Sequence, residues 1–456
     1  MLIHRSIFPC TAQELHAWHE HDGALERLIP PWENTRVLER TGGLTPGAVT
    51  RLRLSLGPLP LPFTARHLDN EPGRMFRDHQ EQGPFRLWEH THLFTDIPEG
   101  AAMEDRVRYS LPLQKVLPGA ISRQVHTMLR QVFHWRHKTL AADLMLHRNT
   151  SKKQRILLSG ASGVIGRALI PLLTTGGHRV WSLVRRKQPE SAHQIYWNPD
   201  KDELDMARLP EVDAVIHLAG EPIGLSRWSG EKMRLIRDSR IRGTRLLAQS
   251  LGKAAHKPAV FLSASAIGYY GDCGEQVVDE SAPAGPGFIS EICREWEEAT
   301  HPAQEAGIRT VQLRIGIVLT PRGGGLKRMT AGFRPGFISR FGSGHQAISW
   351  IHIDDMISTL VHVLVNDQLH GPLNIAAPNP VSNHQFMQTL AQVMNKPLLP
   401  PMPAKLLQLI FGQMASEVVL SGSCVSVDKL LESGYQFRYP HLEEALRALL
   451  GRQQLP

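Results

Sequence analysis

A glycine-rich segment follows an apolar stretch near the end of the first third of the chain. Residues 155–159 have the composition of a buried strand, and glycines then recur at three-residue intervals before an apolar helical stretch. The first glycine permits a tight turn, the second lets a ligand approach the backbone, and the third lets the helix pack on the strand. Free N–H groups at a helix start attract phosphate. The segment predicts a dinucleotide-binding loop made of Gly160, Ala161, Ser162, Gly163, Val164, Ile165 and Gly166.

Composition restricts the class of protein. The 456 residues are 42% hydrophobic and 21% charged, which is typical of globular domains, and this length predicts more than one domain. The net charge is +8, but the basic residues are dispersed, so we expect no nucleic-acid partner. The four cysteines lack metal-type or redox-pair spacing, and no apolar run reaches the ~20 residues of a membrane span. We expect a cytoplasmic protein with no membrane span and no signal peptide.

Residues 1–150 predict an α+β domain. Thr11 and Glu14 have the spacing of a capping box that starts a short helix. Extended segments with alternating apolar residues follow, and a long helix is expected from about Ala120 to His147. This order predicts an antiparallel sheet closed by a helix, a helix-grip arrangement.

Two motifs in this region, residues 30–33 (Pro-Pro-Trp-Glu) and residues 83–88 (Gly-Pro-Phe-Arg-Leu-Trp), make it similar to the SRPBCC (START-like) ligand-binding superfamily. The resemblance implies an interior cavity for a lipid-like or aromatic ligand. An interior filled by side chains is the alternative.

Histidine is enriched in the same region, which holds twelve of the 23 histidines of the chain. His90 and His92 share one face of a strand, and His16 and His19 lie one helical turn apart. A metal site needs three or four converging ligands. The sequence shows only pairs, so we expect core or surface histidines and no metal site.

A polar linker, residues 148–153, separates this region from a second domain that we place at residues 154–456. Strands and helices alternate from there, as a doubly wound parallel sheet requires. The second strand, residues 178–184, is followed by Arg185, where NAD-binding proteins usually place an acidic residue. A guanidinium can pair with a 2′-phosphate, so NADP is favoured as the cofactor. A solvated arginine is the alternative.

Further positions at the carboxyl edge of the sheet are candidates for cofactor contacts. Leu218, Ala219 and Gly220 end one strand, and Ser263 lies near the end of the next. Arg240, on the intervening helix, is a candidate for binding cofactor phosphate or a substrate anion, or for solvating a helix face.

The ordered motifs resemble the extended short-chain dehydrogenase/reductase superfamily, in its epimerase/dehydratase branch. They include residues 217–223 (His-Leu-Ala-Gly-Glu-Pro-Ile), residues 263–271 (Ser-Ala-Ser-Ala-Ile-Gly-Tyr-Tyr-Gly) and residues 349–355 (Ser-Trp-Ile-His-Ile-Asp-Asp). Within that branch the chain is similar to the atypical YfcH-like epimerases, some of which carry an added N-terminal SRPBCC-like domain. The resemblance implies a Rossmann-type doubly wound parallel sheet with a small C-terminal substrate lobe, formed by residues 321–346 and 380–438, after an α+β helix-grip domain.

The same resemblance implies a catalytic serine at Ser265. However, this chain departs from the usual catalytic motif of the superfamily. The usual Tyr-x-x-x-Lys motif should fall within residues 287–296, which contain neither tyrosine nor lysine. Phe288 with Ile292, or Ile289 with Cys293, occupies those two positions. Two nearby phenols, Tyr269 and Tyr270, are the remaining candidates for proton transfer, because a general acid–base group is needed at this place; packing or substrate contact is the alternative and the more common role for a phenol here.

Two functions are compatible with these residues. The first is an NADP-dependent oxidoreductase or epimerase acting on an unidentified small molecule, with a possible apolar ligand in the N-terminal domain. The second is a non-catalytic NADP-dependent sensor or scaffold coupled to that domain. The missing Tyr/Lys pair favours the second, while Ser265 and the glycine loop are compatible with both.

Overall fold

The computed structural model of the protein describes residues 1–56, 59–112, 119–150, 152–188, 191–224, 227–332 and 338–455. The predicted substrate lobe therefore includes a short stretch, residues 333–337, that lies outside the described residues. The chain forms two compact units. One comprises Met1–Ser151, Thr174–Gly177 and Ala448–Pro456, and the other comprises Lys152–Leu173 and His178–Arg447.

The N-terminal unit contains an antiparallel sheet and a long helix, as the sequence predicts. In chain order its strands are β1 (Leu2–Phe8), β2 (Arg36–Arg40), β3 (Val49–Leu56), β4 (Leu59–Glu71), β5 (Met75–Gln82), β6 (Leu87–Ile97) and β7 (Gly100–Ser110). They pair in the order β1-β7-β6-β5-β4-β3-β2. Its helices are α1 (Ala12–Glu20), α2 (Ala24–Arg27) and α3 (Gly119–Arg148). The predicted capping box of Thr11 and Glu14 starts α1.

The long helix α3 packs on the sheet through apolar side chains. Leu129 and Phe133 of α3 form one buried cluster with Leu2 of β1 and Val107 of β7. A second cluster lies between sheet and helices and includes Phe8, Leu15, Trp18, Phe76, Phe94, Met103 and Leu140. Burial of such side chains is worth about 1.5–3 kcal/mol each, which stabilises the helix-grip arrangement.

The second unit is built on a doubly wound sheet. Its strands are β8 (Arg155–Ser159), β9 (Arg179–Val184), β10 (Gln194–Asn198), β11 (Glu203–Leu204), β12 (Ala214–His217), β13 (Val260–Ala266), β14 (Val277–Val278), β15 (Arg309–Ile315), β16 (Ile317–Leu319), β17 (Ile338–Phe341), β18 (Ala347–Ile348), β19 (Trp350–His352), β20 (Gly371–Ile375), β21 (Val381–Ser382), β22 (Leu398–Met402) and β23 (Cys424–Val425). The main sheet has the order β11-β10-β9-β8-β12-β13-β15-β20. All its neighbours pair in parallel except β10 and β11.

Helices flank this sheet and join its strands. They are α4 (Val164–Thr175), α5 (Gly230–Lys253), α6 (Phe288–Glu298), α7 (His301–Glu305), α8 (Gly324–Gly332), α9 (Ile353–Val365), α10 (Asn383–Met394), α11 (Ala404–Phe411), α12 (Asp428–Glu432) and α13 (Leu442–Leu449). A short 3₁₀ helix, Ile267–Tyr270, follows β13. Among these described helices, none is long and apolar enough to cross a membrane.

One predicted strand is divided in the structure. The sequence suggests a continuous strand over residues 310–319, but β15 ends at Ile315 and β16 begins at Ile317. A side chain at Gly316 would place its Cβ only 2.6 Å from the carbonyl oxygen of Ser349. The glycine lets the chain leave the main sheet here, and β16 pairs with β19 instead.

The smaller lobe is formed by short paired strands and the C-terminal helices. β17 pairs with β22, so both predicted lobe segments contribute to this pair, and β18, which directly follows the first segment, pairs with β21 of the second. Asp355 of α9 attaches the C-terminal segment, because its carboxylate accepts backbone N–H groups of Arg438 (2.7 Å) and Tyr439 (2.9 Å). The lobe is thereby held at the carboxyl edge of the main sheet.

Candidate functional site

The glycine loop after β8 has a backbone that only glycine can adopt. Gly160 has φ +77°, and a Cβ there would lie 2.7 Å from the carbonyl carbon of Leu218. A Cβ on Gly166 would lie 2.4 Å from the carbonyl oxygen of Gly160. Gly163 donates its N–H to that same oxygen at 2.9 Å, and α4 begins at the next residue. The loop is thus compact, and its outer residues, Ser162 to Val164, are exposed.

Ser159 and His217, neither of which was a predicted site residue, hold the loop against the neighbouring strand. Ser159 Oγ lies 2.5 Å from His217 Nδ1 and accepts the N–H groups of Leu218 (3.1 Å) and Ala219 (3.3 Å). His217 is fully buried, and burial lowers its pKa to about 3. The neutral ring can therefore accept the Ser159 proton, which leaves the serine lone pairs for the two N–H groups. A polar residue at the end of each buried strand was the available sequence signal.

The residues after β12 become progressively more exposed toward the carboxyl edge. Leu218 and Ala219 are half-buried, and Gly220 is exposed. On the next strand, β13, Ser263 pairs in register with His217 and is buried. The predicted cofactor residues after β12 are therefore brought together with the glycine loop. The Ser263 side chain is buried instead, and its hydroxyl contacts the Ala264 carbonyl oxygen at 3.5 Å.

Arg185 follows β9, the strand that pairs with β8, and its side chain is exposed. Within the part of the chain that the structure describes, its guanidinium has no hydrogen bond or ion pair. It lies at the same edge of the sheet as the glycine loop, because the carboxyl ends of parallel strands share one edge. This guanidinium remains available to an anion.

Arg240 has a different environment. Its Nη1 donates to the carbonyl oxygens of Ile236 (2.9 Å) and Glu221 (3.0 Å), and its guanidinium lies 5.1 Å from the ring centroid of Trp296. Burial lowers its pKa. The side chain supports the backbone that follows Gly220 through its bond to Glu221, and a Cβ on Gly220 would lie 3.4 Å from the Arg240 Cζ. The alternative that Arg240 is a solvated residue on a helix face is wrong, because its side chain is half-buried and hydrogen-bonded.

Ser265 belongs to a buried charged network at the end of β13. Its hydroxyl donates to Glu297 Oε1 at 2.7 Å. Arg314 binds the same carboxylate through two N–H groups, each at 2.9 Å. Glu297 and Arg314 were not predictable from the sequence, because they lie on α6 and β15 and only the folded chain brings them to Ser265.

The two candidate phenols are placed differently. The buried Tyr270 hydroxyl donates to Asn374 Oδ1 (2.7 Å) and accepts from Arg314 Nη1 (2.9 Å). Burial raises the pKa of Tyr270 to about 12. The ring of half-buried Tyr269 lies under the Arg314 guanidinium at 3.5 Å, and its hydroxyl bonds no described residue. Tyr270 is committed to the network, whereas the Tyr269 hydroxyl is available.

Comparison with known proteins accounts for most of the chain. Residues 156–376 match the NAD dependent epimerase/dehydratase family, residues 402–449 match a domain of unknown function (DUF1731), and residues 11–138 match the polyketide cyclase/dehydrase and lipid transport family. An epimerase family protein of Mycobacterium bovis is 39% identical over 291 residues, which are 64% of this chain and 96% of that relative. The crystal structure of a nucleoside-diphosphate sugar epimerase from Corynebacterium glutamicum superposes with a TM-score of 0.81 at 30% identity, covering 100% of this chain and 91% of that one.

The chain belongs to this epimerase family. The predicted relationship, an atypical short-chain dehydrogenase/reductase with an N-terminal SRPBCC domain, is confirmed, as is the predicted fold. Human epimerase family protein SDR39U1, whose structure was determined with NADPH, has a TM-score of 0.60 at 33% identity and covers 65% of this chain and 99% of its own. The family is one of NAD(P)-binding, epimerase- and oxidoreductase-like proteins.

This member of the family departs from the usual catalytic pattern on α6. A Cβ on Gly268 would lie 2.5 Å from Ile289 Cγ2, so Ile289 faces the segment that follows Ser265. Phe288 instead packs on Trp228, with ring centroids 5.6 Å apart. Burial raises the pKa of the Cys293 thiol to about 12. Of the two registers left open by the sequence, the structure thus favours Ile289 with Cys293, and neither side chain can exchange protons near neutral pH.

The N-terminal unit contains a second polar cluster, inside its apolar interior. The Asp105 carboxylate lies 2.7 Å from His137 Nε2, 3.1 Å from His90 Nε2 and 2.7 Å from His92 Nδ1. Burial alone would raise the pKa of Asp105, but the surrounding histidines hold it well below its usual range. The sequence showed only histidine pairs. Folding brings residues of β6, β7 and α3 together here.

Proposed function

We propose that the chain binds NADP(H) at the Gly160–Gly166 loop and acts with it as an oxidoreductase or epimerase on a small molecule. The observation that carries the proposal is the compact glycine loop with an exposed guanidinium, Arg185, at the same edge of the sheet. A pyrophosphate can approach the loop backbone, and a 2′-phosphate can pair with Arg185. The NADPH bound by the human relative supports the same choice of cofactor.

The fit of the loop to a dinucleotide follows from its packing. A Cβ at Gly160 or Gly166 would meet backbone atoms, so the turn stays tight enough to present free N–H groups at the start of α4. Leu218, Ala219 and Gly220 would border the nucleotide at the edge of the sheet, and Arg240 would keep that border in place. When bound, NADP supplies a hydride acceptor or donor.

We assign the role of general acid–base group to Tyr269. Its hydroxyl is uncommitted, its ring is held by Arg314, and a general acid–base group must be able to approach substrate. Ser265 positions the Glu297–Arg314 pair that holds this ring. Tyr270 also holds Arg314, since its hydroxyl accepts a hydrogen bond from Arg314 Nη1. In this proposal Ser265 and Tyr270 are positioning residues, although all three residues were candidates for catalysis in the sequence.

The test uses NADPH deuterated stereospecifically at the nicotinamide C4 and an extract of small metabolites. We expect the full-length protein to transfer deuterium to a metabolite, which mass spectrometry detects, with the label lost from only one face of the ring. Tight NADPH binding without any transfer from NADPH, and without label exchange between deuterated metabolites and NADP⁺, would contradict the enzymatic proposal. That result would instead support the non-catalytic sensor or scaffold, for which the absent Tyr/Lys pair is the motivating observation.

We also infer an apolar ligand for the N-terminal unit and a cytoplasmic location. The first rests on the match to a lipid transport family and on the aromatic side chains of the interior. The second rests on four cysteines that are free thiols. Extraction of the purified protein with organic solvent, followed by mass spectrometry, tests the ligand, and cell fractionation tests the location.

A further inference from the structure

Three side chains of two adjacent strands converge in the interior of the N-terminal unit. Asp78 of β5 lies opposite His90 of β6 in the strand register, and His92 follows His90 on the same face. One possible ligand atom from each of the three lies within 4.8 Å of the other two. The side chains of Asp78, His90 and His92 are only 13%, 6% and 10% exposed. Two imidazoles and a carboxylate are thus gathered away from bulk water.

The distances suit a transition-metal ion. Imidazole nitrogen and carboxylate oxygen bind Zn²⁺ at about 2.0–2.2 Å, so two ligands of one ion are separated by no more than about 4.4 Å. His90 Nδ1 and Asp78 Oδ2 are 3.8 Å apart, which is too long for a hydrogen bond and within this limit. The ligand atoms of all three side chains lie within 4.8 Å of one another, so a shift of at most about 0.4 Å brings every pair within this limit. The carboxylate of Asp78 makes no hydrogen bond to any described residue, which is costly for a buried charge.

A neighbouring carboxylate orients the first imidazole for this role. Asp105 Oδ1 lies 3.1 Å from His90 Nε2, so the ring proton belongs on Nε2 and the Nδ1 lone pair faces Asp78. This carboxylate–histidine arrangement is the one that supports metal-bound imidazoles. The same carboxylate holds the second imidazole, since His92 Nδ1 lies 2.7 Å from Asp105 Oδ1. An ion bound between His90 Nδ1 and Asp78 would give both groups a partner.

We propose that Asp78, His90 and His92 bind a divalent first-row transition-metal ion, such as Zn²⁺, inside the N-terminal unit. Nitrogen and carboxylate ligands select this class of ion over Mg²⁺ or Ca²⁺, which take oxygen ligands. Three protein ligands leave a coordination position open. An oxygen atom of water or of a small ligand completes the coordination shell of such an ion. The site is separate from the dinucleotide loop and does not depend on the proposed reaction.

The experiment removes metal from the full-length protein with a chelator and then titrates it with Co²⁺, followed by visible absorption. We expect one equivalent of Co²⁺ to produce d–d bands, and Zn²⁺ to displace it. Asp78→Asn and His92→Gln should each weaken Co²⁺ binding more than about 100-fold. The matched control is His79→Gln, because His79 neighbours Asp78 on β5 and its side chain points to the opposite face. This control should bind like the wild type.

The wild-type protein provides a second measurement that does not depend on the folding of the variants. X-ray absorption of the Zn²⁺-loaded protein should show two imidazole ligands and oxygen or nitrogen donors in the remaining positions. Failure of the folded wild type to take up one equivalent of Co²⁺ would overturn the proposal. So would a coordination shell without two imidazoles, or folded Asp78→Asn and His92→Gln variants that bind as tightly as the control.

Discussion

Replacing Gly166 by alanine should weaken dinucleotide binding, because the loop has no space for a side chain at this position. The new Cβ would lie 2.4 Å from the Gly160 carbonyl oxygen and 2.8 Å from the Ala161 Cα, and both contacts are with backbone. Overpacking of this kind costs about 1–3 kcal/mol. In the free protein the loop can relax outward, but a bound pyrophosphate requires the compact form. The strain is therefore paid on binding, and the NADPH Kd should rise about 5- to 150-fold.

The assay is titration of NADPH by its fluorescence or by calorimetry, with thermal unfolding measured in parallel. Gly230→Ala is the matched control, because Gly230 also lies in the first turn of a helix, and a Cβ there would meet nothing within 4 Å. The control should bind NADPH like the wild type and should be equally or more stable. Unchanged affinity in Gly166→Ala, with the fold intact, would refute the assignment of this loop to the pyrophosphate.

Three further predictions concern other parts of the site. Arg185→Asp should weaken NADPH binding about 10-fold or more while NADH binding is kept or improved, whereas Arg179→Asp at the opposite end of β9 should change neither Kd. Tyr269→Phe should abolish the labelled-hydride reaction with little change in NADPH affinity; Tyr270→Phe should instead lower the melting temperature, since it removes one hydrogen bond from Arg314 Nη1 and one from Asn374 Oδ1. The pKa of His217 is about 3 in the folded protein against an ordinary 6.5, so its stabilising contribution is complete above pH 6.5 and is lost as the pH falls toward 3. Urea unfolding measures the free energy of unfolding at pH 7 and at pH 5. The decrease between the two pH values should be about 2 kcal/mol smaller in His217→Asn than in the wild type. An equal decrease in both proteins would contradict a neutral buried ring.

Much of the architecture was predictable from local patterns. Apolar stretches and turn residues located the principal strands, the capping box of Thr11 and Glu14 located the first helix, and three glycines located the loop. These features are local, because they depend on backbone propensities and on neighbours a few residues away. The division at Gly316 was not predictable, because its cause is a carbonyl oxygen of Ser349, more than thirty residues farther along the chain.

In the catalytic region, the environments of the side chains were likewise not predictable from the sequence. The sequence alone placed Ser265 at the end of a strand and established that Tyr-x-x-x-Lys is absent from residues 287–296. It could not indicate that the Ser265 hydroxyl is bonded to Glu297, or that Tyr270 is buried while Tyr269 is half exposed. Adjacent residues have nearly identical sequence surroundings, and only packing against distant elements separates their chemical environments.

The glycine loop shows what the sequence alone determines, and the histidine cluster shows what only the tertiary structure decides. Glycine spacing by itself determined that a strand, a tight turn and a helix follow one another, since steric restriction of the backbone acts within a few residues. Tertiary structure alone decided that Asp78, Asp105 and the histidines of β6 and α3 meet, because they are brought together by strand pairing and helix docking. A sequence of histidine pairs became a buried polar cluster through long-range contacts that no local pattern encodes.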